Sequence, residues 1–388
     1  MRIKNAELNY KKRIAVNTRF LIKNKLEGIG LFTYEALKHI TQAHPDIEFC
    51  FLFDRPYAPE FIFGENVKPV VLFPPARHPF LWFWWFEISV RHWLNKNNPD
   101  LFLSTDGYCC LTTAVPQVMV IHDLAFEHFS DHVYGLTHRY YKYFTPLFAR
   151  KVQRIATVSE YSKNDIVSLY NIDAAKIDVV YNGPKEVYRT VNNEVKEGVK
   201  GTYTHGCNYF LYVGSIHPRK NIKNLLLAFE QFKAETSSDM KLLIVGRKAW
   251  DFEDVDKAHA NMKFKEEVKF LGHLLPAELA QITASAYAMV YVSLFEGFGI
   301  PIIEAMSCGV PVITSNTTSM PEVAGDAALL VDPLSISEIS GALKNIALNS
   351  EVREELISRS NTQVKKFSWA LTGNKLWKSC EVVLNSKT

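Results

Sequence analysis

The chain has 388 residues, of which 47% are apolar and 22% charged, with a formal net charge of +3. That length predicts two domains, each with enough apolar residues for its own core. The small net charge argues against a nucleic-acid partner. The densest apolar run, FLWFWWF at Phe80–Phe86, falls far short of the roughly 18 residues that span a bilayer. The opening MRIKNAELNYKKRIAV lacks the apolar stretch of a signal peptide. The six cysteines show neither CxxC nor a framework spacing, so reduced thiols and a cytoplasmic location are expected.

Short apolar runs alternate with helix-length amphipathic segments, the pattern of parallel sheets with crossover helices. RIAVNTRF reads as the first strand and GIGLFTYEALKHITQAH as the helix after it. Between them LEGIGLFT carries Gly28 and Gly30 but Thr33 where a third glycine would stand, so dinucleotide binding is unsupported. The two glycines suit a turn whose backbone nears a phosphate or sugar, or a tight turn with no ligand. EFCFLF and VKPVVLF read as the next strands.

HPFLWFWWFEISVRHWLNKN holds four of the seven tryptophans. At 100° per residue Glu87, Arg91 and Asn95 form one polar stripe, with Glu87 and Arg91 as an i,i+4 pair. Trp82, Trp85, Phe86 and Trp93 fall on the opposite, core side, and Trp84 projects among the polar residues. Either a neighbouring loop covers Trp84, or it meets a membrane surface or a lipid-linked acceptor, with Arg77, Arg91 and Lys96 near anionic headgroups.

LFLST, QVMVIHD, RIATVS and IDVVYNG complete the first series of strands. His122 and Asp123 stand at the carboxyl end of QVMVI, where open α/β sheets bind ligands; a structural histidine is the alternative. The polar stretch 188–207 reads as a linker between an N-terminal domain, 1–187, and a C-terminal domain, 208–365. Residues 366–388 read as a helix that could pack on either half, including back on the N-terminal domain. Two such halves would leave a cleft between them.

The second series is YFLYVGS, MKLLIVG, VKFLGH, AMVYVS, VPVITS and AALLVD. After the first of these, which ends at Gly214, Arg219 and Lys220 precede a helix starting near Asn221. Two cations at a positive helix end are unfavourable without an anion, so they suggest a phosphate site; a solvated surface pair is the alternative. After AMVYVS, the stretch EGFGIPIIEAMSCG sets Glu296 before a glycine loop and Glu304 in the helix that Pro301 opens. A carboxylate ending an apolar strand needs a partner, whereas Glu304 could simply complement the helix dipole. Acceptor-only groups beside glycines and a cationic pair fit a ligand with both hydroxyls and phosphates, as in a nucleotide-sugar. Asp254-Val255-Asp256 is a literal DxD in a charged run, read as exposed and not as a metal site.

The series YVGSIHPRKN, LLIVG, FLGHL and EGFGIPIIEAMSCGVPVITSN with MPEVAGDAALLVDP strongly resembles the retaining glycosyltransferases of family four. Glu296 and Glu304 match that family's E-x7-E signature in full. The resemblance implies a GT-B fold, α/β with two Rossmann-like domains facing a central cleft. It implies that Arg219 and Lys220 hold the donor diphosphate and that Glu296 accepts hydroxyls of the transferred sugar. Gly214, Gly297, Phe298, Gly299 and Ile300 would line the donor, Glu304 would accept the ribose hydroxyls, and Leu271 would lie along the base. Gly28 and Gly30 resemble the acceptor-side glycine loop, with Asp123 beside them, and His122 the family's strand-end histidine. No metal or other cofactor is implied, since the nucleotide-sugar is a substrate.

The expected reaction is metal-independent transfer of a hexose, with retention, to a glycan or lipid-linked acceptor. The resemblance to mannosyltransferases of surface polysaccharide assembly favours GDP-mannose. The alternatives are a UDP-glucose-type donor, an epimerase or phosphorylase of the same fold, and a non-catalytic scaffold that binds sugar nucleotides. Peripheral association at the inner face of the membrane rests on Trp84.

Overall fold

The computed structural model describes residues 12–129, 135–247 and 253–386. The leading residues read above for a signal peptide therefore lie largely outside the described residues. The chain divides into two compact units, residues 1–182 with 369–388, and residues 183–368.

Unit 1 is built on seven parallel strands: β1 (Lys12–Asn17), β2 (Ile47–Phe53), β3 (Val67–Val71), β4 (Leu101–Ser104), β5 (Gln117–Ile121), β6 (Arg154–Thr157) and β7 (Ile177–Val179). Their order is β3-β2-β1-β4-β5-β6-β7. The central strands are buried nearly throughout, as parallel strands covered by helices on both faces must be. The helix Ile29–Ala43 buries Leu31, Phe32, Ala36, Leu37 and Ile40, one stripe at helical spacing. Because β1 runs outward to β3 and the chain then returns to β4, strand order reverses between β1 and β4.

Unit 2 repeats the plan with six parallel strands: β8 (Tyr209–Val213), β9 (Lys241–Val245), β10 (Val268–Gly272), β11 (Ala288–Tyr291), β12 (Val312–Ser315) and β13 (Ala328–Val331). Their order is β10-β9-β8-β11-β12-β13, so the reversal falls between β8 and β11. All thirteen strands coincide with the apolar runs of the sequence.

The boundary near the supposed linker differs from the sequence reading. The stretch 188–207, read as a linker, contains the helix Asn193–Thr204, capped by the Asn192 side chain, which accepts from the backbone N–H of Val195. It packs on the helix Pro276–Ser285 and belongs to unit 2. Its apolar stripe, Val195, Val199 and Tyr203, is one residue wide and diluted by Gly198 and Gly201, which hid it. At the other end, the helix Trp369–Asn385 lies in unit 1 against the helix Ile29–Ala43. Gly373 permits that approach, since a Cβ there would stand 2.8 Å from Cβ of His39. Ser379 donates to Asp178 at 2.7 Å, and Trp377 stacks on His44 with ring centroids 4.1 Å apart.

The tryptophan-rich segment departs furthest from its sequence reading. Helix Pro79–Trp84 passes through a π turn, Trp85–Val90, into helix Arg91–Asn97. Such a turn inserts an extra residue and rotates everything after it. Glu87 is therefore not on an exposed stripe with Arg91 and Asn95: it is buried. Its carboxylate accepts from the backbone N–H of Leu111 at 2.7 Å, the N–H of Thr112 at 3.2 Å and the Thr112 hydroxyl at 2.6 Å. Trp85 and Phe86 are core, Trp82 and Trp93 are half-buried, and Trp84 is exposed, so no loop among the described residues covers it.

Glu87→Ala strands two backbone N–H groups and should lower unfolding stability in urea by about 3 kcal/mol, with Glu87→Gln recovering part of the loss. Unchanged stability in the alanine variant would contradict this assignment.

Candidate functional site

In unit 2 the carboxyl ends of β8 and β11 adjoin at the strand-order reversal, the place where open α/β sheets take ligands. Two glycines bring the chain there at close quarters. A Cβ on Gly246, just after β9, would overlap the carbonyl oxygen of Gly214, and one on Gly214 would stand 2.6 Å from the Tyr212 hydroxyl. Arg219 and Lys220 lie in a 3-10 turn, Pro218–Lys220, and not in the first turn of the following helix, Ile222–Thr236. His217 Nδ1 accepts from the N–H of Arg219 at 3.2 Å. Asn221 adopts a left-handed conformation, φ 61°, and its side-chain amide donates to the carbonyls of Val292 at 2.9 Å and Pro333 at 2.6 Å. The turn is thereby fastened to the segment after β11, where Leu294 N–H donates to the Arg219 carbonyl at 2.8 Å.

This fastening assembles an ionic cluster around the buried Glu296. Lys220 Nζ donates to Glu296 Oε1 at 2.5 Å and to the Tyr291 hydroxyl at 3.1 Å. Tyr291 in turn donates to Glu296 Oε1 at 3.0 Å. Arg219 donates to Glu296 Oε2 at 3.2 Å and also to the Phe295 carbonyl. Burial alone would raise the Glu296 pKa, but Lys220 and then Arg219 outweigh it and hold the carboxyl down at about 2. The Tyr291 hydroxyl moves the other way, its pKa raised by burial and by the Glu296 charge.

The loop after Glu296 is held from β12's side. Ser319 Oγ lies 2.9 and 3.0 Å from the carbonyls of Glu296 and Phe298, and Thr318 Oγ1 accepts from the Glu296 N–H at 3.3 Å. Gly299, φ 101°, opens the helix Ile300–Ser307. The Phe298 ring is buried edge-on against Phe367, centroids 5.6 Å apart, so only its backbone can address a ligand. Glu304 has different neighbours from Glu296. It is buried beside Lys185 and Tyr188, and burial outweighs their effect, raising its carboxyl to about 7. Leu271 sits at the irregularity between Phe270 and Gly272, where β10 shifts register on β9. Asp254 is on an exposed helix, Glu253–Asn261, and pairs with Lys223 at 3.1 Å.

In unit 1 the ends of β1, β4 and β5 gather a second polar cluster. His122 Nε2 lies 2.9 Å from the Thr105 carbonyl; a carbonyl only accepts, so Nε2 carries the proton and Nδ1 is the acceptor nitrogen. Burial lowers the His122 pKa, which keeps the ring neutral. Phe32 packs edge-on against it, with centroids 4.9 Å apart. Thr33, at the position of the missing third glycine, shares a hydrogen bond with Thr105 at 2.7 Å. Gly28 has φ 49°, and a Cβ on Gly30 would meet the Phe20 carbonyl at 2.8 Å. Asp123 accepts from the Ala125 N–H at 3.0 Å, which gives it a turn-forming job.

Sequence reasoning missed Tyr291, Ser319 and Asn221 in unit 2, and Asn17, Arg19 and Asp106 in unit 1. Arg19 donates to Asp106 at 2.6 Å, Asn17 donates to Asp106 at 2.7 Å, and the Arg19 guanidinium lies over Tyr108 at 4.2 Å. Polar residues at strand ends were the available signal, in NTR at the end of β1 and STDG at the end of β4.

Residues 26–184 match the family model "Glycosyltransferase Family 4", and residues 200–363 match "Glycosyl transferases group 1". The O-antigen chain mannosyltransferase B of Escherichia coli is 35% identical over 224 residues, which cover 55% of this chain and 57% of that protein. The O-antigen chain mannosyltransferase RfbU of Salmonella typhimurium is 29% identical over 292 residues, covering 75% of this chain and 76% of that protein. The match thus spans little more than half the length of the first of these relatives.

Among solved structures, WaaG, a glycosyltransferase involved in lipopolysaccharide biosynthesis, matches with a TM-score of 0.72 at 13% identity, over 95% of this chain and 99% of that one. HepE of Anabaena, solved in complex with UDP-glucose, matches with a TM-score of 0.73 at 17% identity, over 96% of this chain and 100% of that one. At such identities these two show the fold alone. With one glycosyltransferase model matching each half of the chain and the GT-B fold running through both units, the chain belongs to the family-four glycosyltransferases.

Proposed function

We propose that the protein transfers mannose from GDP-mannose, with retention and without a metal, to a surface glycan or its lipid-linked precursor. The observation that carries this reading is the Arg219–Lys220–Glu296 cluster at the ends of β8 and β11. The mannosyltransferase relatives favour the choice of sugar.

The cluster's electrostatics support the following roles. As the bond between the anomeric carbon and the diphosphate breaks, charge develops on the β-phosphate, and Arg219 with Lys220 would stabilise it there. Both cations are already oriented by Glu296, so little reorganisation is needed when the donor arrives. A carboxyl held at about 2 stays ionised at any working pH. It accepts hydrogen bonds from sugar hydroxyls and donates no proton. The acceptor oxygen bonds to the anomeric carbon on the face the phosphate leaves, and its proton passes to the departing phosphate. Backbone N–H groups of the Gly297–Ile300 stretch would line the donor, with Gly214 giving room for it and Leu271 along the base. His122 would present Nδ1 to a sugar hydroxyl, and the Gly28–Gly30 turn would handle the acceptor.

If Arg219 and Lys220 supply the positive charge, transfer should survive a chelator. Arg219→Ala and Lys220→Ala should each lower transfer about 100-fold or more. Full, reversible loss in chelator would contradict the metal-free reading. A thermal-shift panel of nucleotide-sugars identifies the donor, because ligand at about 100 times its Kd adds about 2.7 kcal/mol. A UDP-sugar stabilising the protein while GDP-mannose does not would displace mannose from this proposal.

Glu304 sets a pH dependence whose sign follows from its raised carboxyl, at about 7. A ribose hydroxyl donates to the ionised form, so below that pH binding must first expel a proton. Affinity for free nucleotide should therefore rise roughly tenfold from about pH 6 to about pH 8 and then level off. Glu304→Gln should bind more weakly and show no such rise, as read by calorimetry. An equal rise in that variant would remove Glu304 from the nucleotide site. Stability alone should run the opposite way: the folded form holds a proton that the unfolded chain releases above about 4.5. Glu304 therefore costs stability as pH climbs toward 7.

A further inference from the structure

Unit 1 carries a surface that the strand-end clusters leave unused. The π turn at Trp85–Val90 sends Trp85 and Phe86 inward, while Phe80, Phe83, Trp84 and Ile88 stay exposed at 70, 45, 51 and 45%. The helix Gly135–Lys151, which packs on Pro79–Trp84, adds Tyr143 at 66%. Phe83 and Phe144 join the two elements, with ring centroids 5.9 Å apart. Single exposed apolar residues are ordinary; several large ones on two adjoining helices mark an interaction surface.

The charge around these residues is one-sided. Arg77, Arg91 and Lys96 are exposed on the first segment, and Arg139, Lys142 and Arg150 on the second. Within 77–97 and 135–151 the sole acidic residue is Glu87, and it is buried against Leu111 and Thr112. Among the described residues, Glu127 pairs with one of these cations, 3.4 Å from Lys142. A face so composed repels a second copy of itself and attracts an anionic surface.

We propose that this face docks unit 1 on an anionic lipid bilayer. Phe80, Phe83 and Trp84 would enter the boundary between headgroups and acyl chains, while the arginines and lysines meet lipid phosphates. The inner side of the same helical segment reaches the strand-end cluster. Trp82 and Phe86 lie 5.9 and 5.5 Å from the Arg19 guanidinium, which pairs with Asp106 at 2.6 Å. One helix thus has the bilayer on one side and the ends of β1 and β4 on the other. That arrangement suits an acceptor carried on a lipid, a point that rests on the proposed transfer reaction; the docking itself does not.

Co-sedimentation with vesicles of equal parts phosphatidylglycerol and phosphatidylcholine tests the proposal. The full chain should bind these vesicles, bind phosphatidylcholine alone far more weakly, and be released by salt. The double variant Phe83→Ser with Trp84→Ser should lose binding at least about tenfold, and Arg91→Ala and Arg139→Ala about fivefold each. All should keep the wild-type melting temperature and nucleotide affinity. Because the charge variants alter exposed side chains only, they keep the test decisive if the aromatic variant folds poorly. Wild-type vesicle binding in the charge variants would overturn the proposal. So would a wild-type dimer that the aromatic variant converts to a monomer, since a second copy would then cover the face. Vesicle binding is read without a sugar donor, so a failure of transfer bears on the proposed reaction and leaves this result standing.

Discussion

The placement of Glu296 between Lys220 and Arg219 is the constraint around which unit 2 is arranged. A carboxylate taken out of water costs several kcal/mol unless cations and hydrogen bonds replace its hydration. Here both cations come from a three-residue turn after β8, while the carboxylate follows β11. They can meet only because strand order reverses between those two strands. The details serve that meeting. Asn221 pins the turn, Ser319 pins the loop, and Gly214 with Gly246 lets the ends of β8 and β9 close up. Removing one cation would leave a buried charge short of partners, so structure and chemistry share these residues.

The two glutamates of one motif are driven in opposite directions. Glu296, ringed by cations, is held at about 2, whereas Glu304, buried in the helix that follows, rises to about 7. Environments that push two carboxyls apart commonly divide their roles. In the proposed reaction one would be a permanent anion that fixes positive charge for a diphosphate. The other remains poised until a hydroxyl or a rise in pH makes ionisation favourable. Unit 1 shows the same separation of a neutral His122 from the charged Arg19–Asp106 pair, at the ends of neighbouring strands.

Much of this was legible from residue order. Parallel strands buried on both faces must read as short continuous apolar runs, as the central LFLS and QVMVI do, and the edge strands could be read from the alternation with helices. The E-x7-E spacing and the Arg219–Lys220 pair are local in sequence, so they too could be read. What escaped was set by tertiary contact. Nothing in the tyrosine of AMVY announces that its hydroxyl will bridge Lys220 and Glu296, because Tyr291 and Lys220 are 71 residues apart. The helix Asn193–Thr204 hid behind a thin apolar stripe. Glu87 was misplaced because a period of 100° per residue does not allow for a π turn, which turned a surface carboxylate into a buried acceptor and widened the exposed face beyond Trp84.

The central claim, that Arg219, Lys220 and an ever-ionised Glu296 promote departure of a diphosphate and same-face attack, is tested most directly by product stereochemistry. Proton NMR of the newly formed linkage, made with the α-linked donor that the shift panel selects, reads the anomeric configuration of the product. The account predicts an α product. A β product would mean inversion, which requires a base on the opposite face, and would contradict the mechanism.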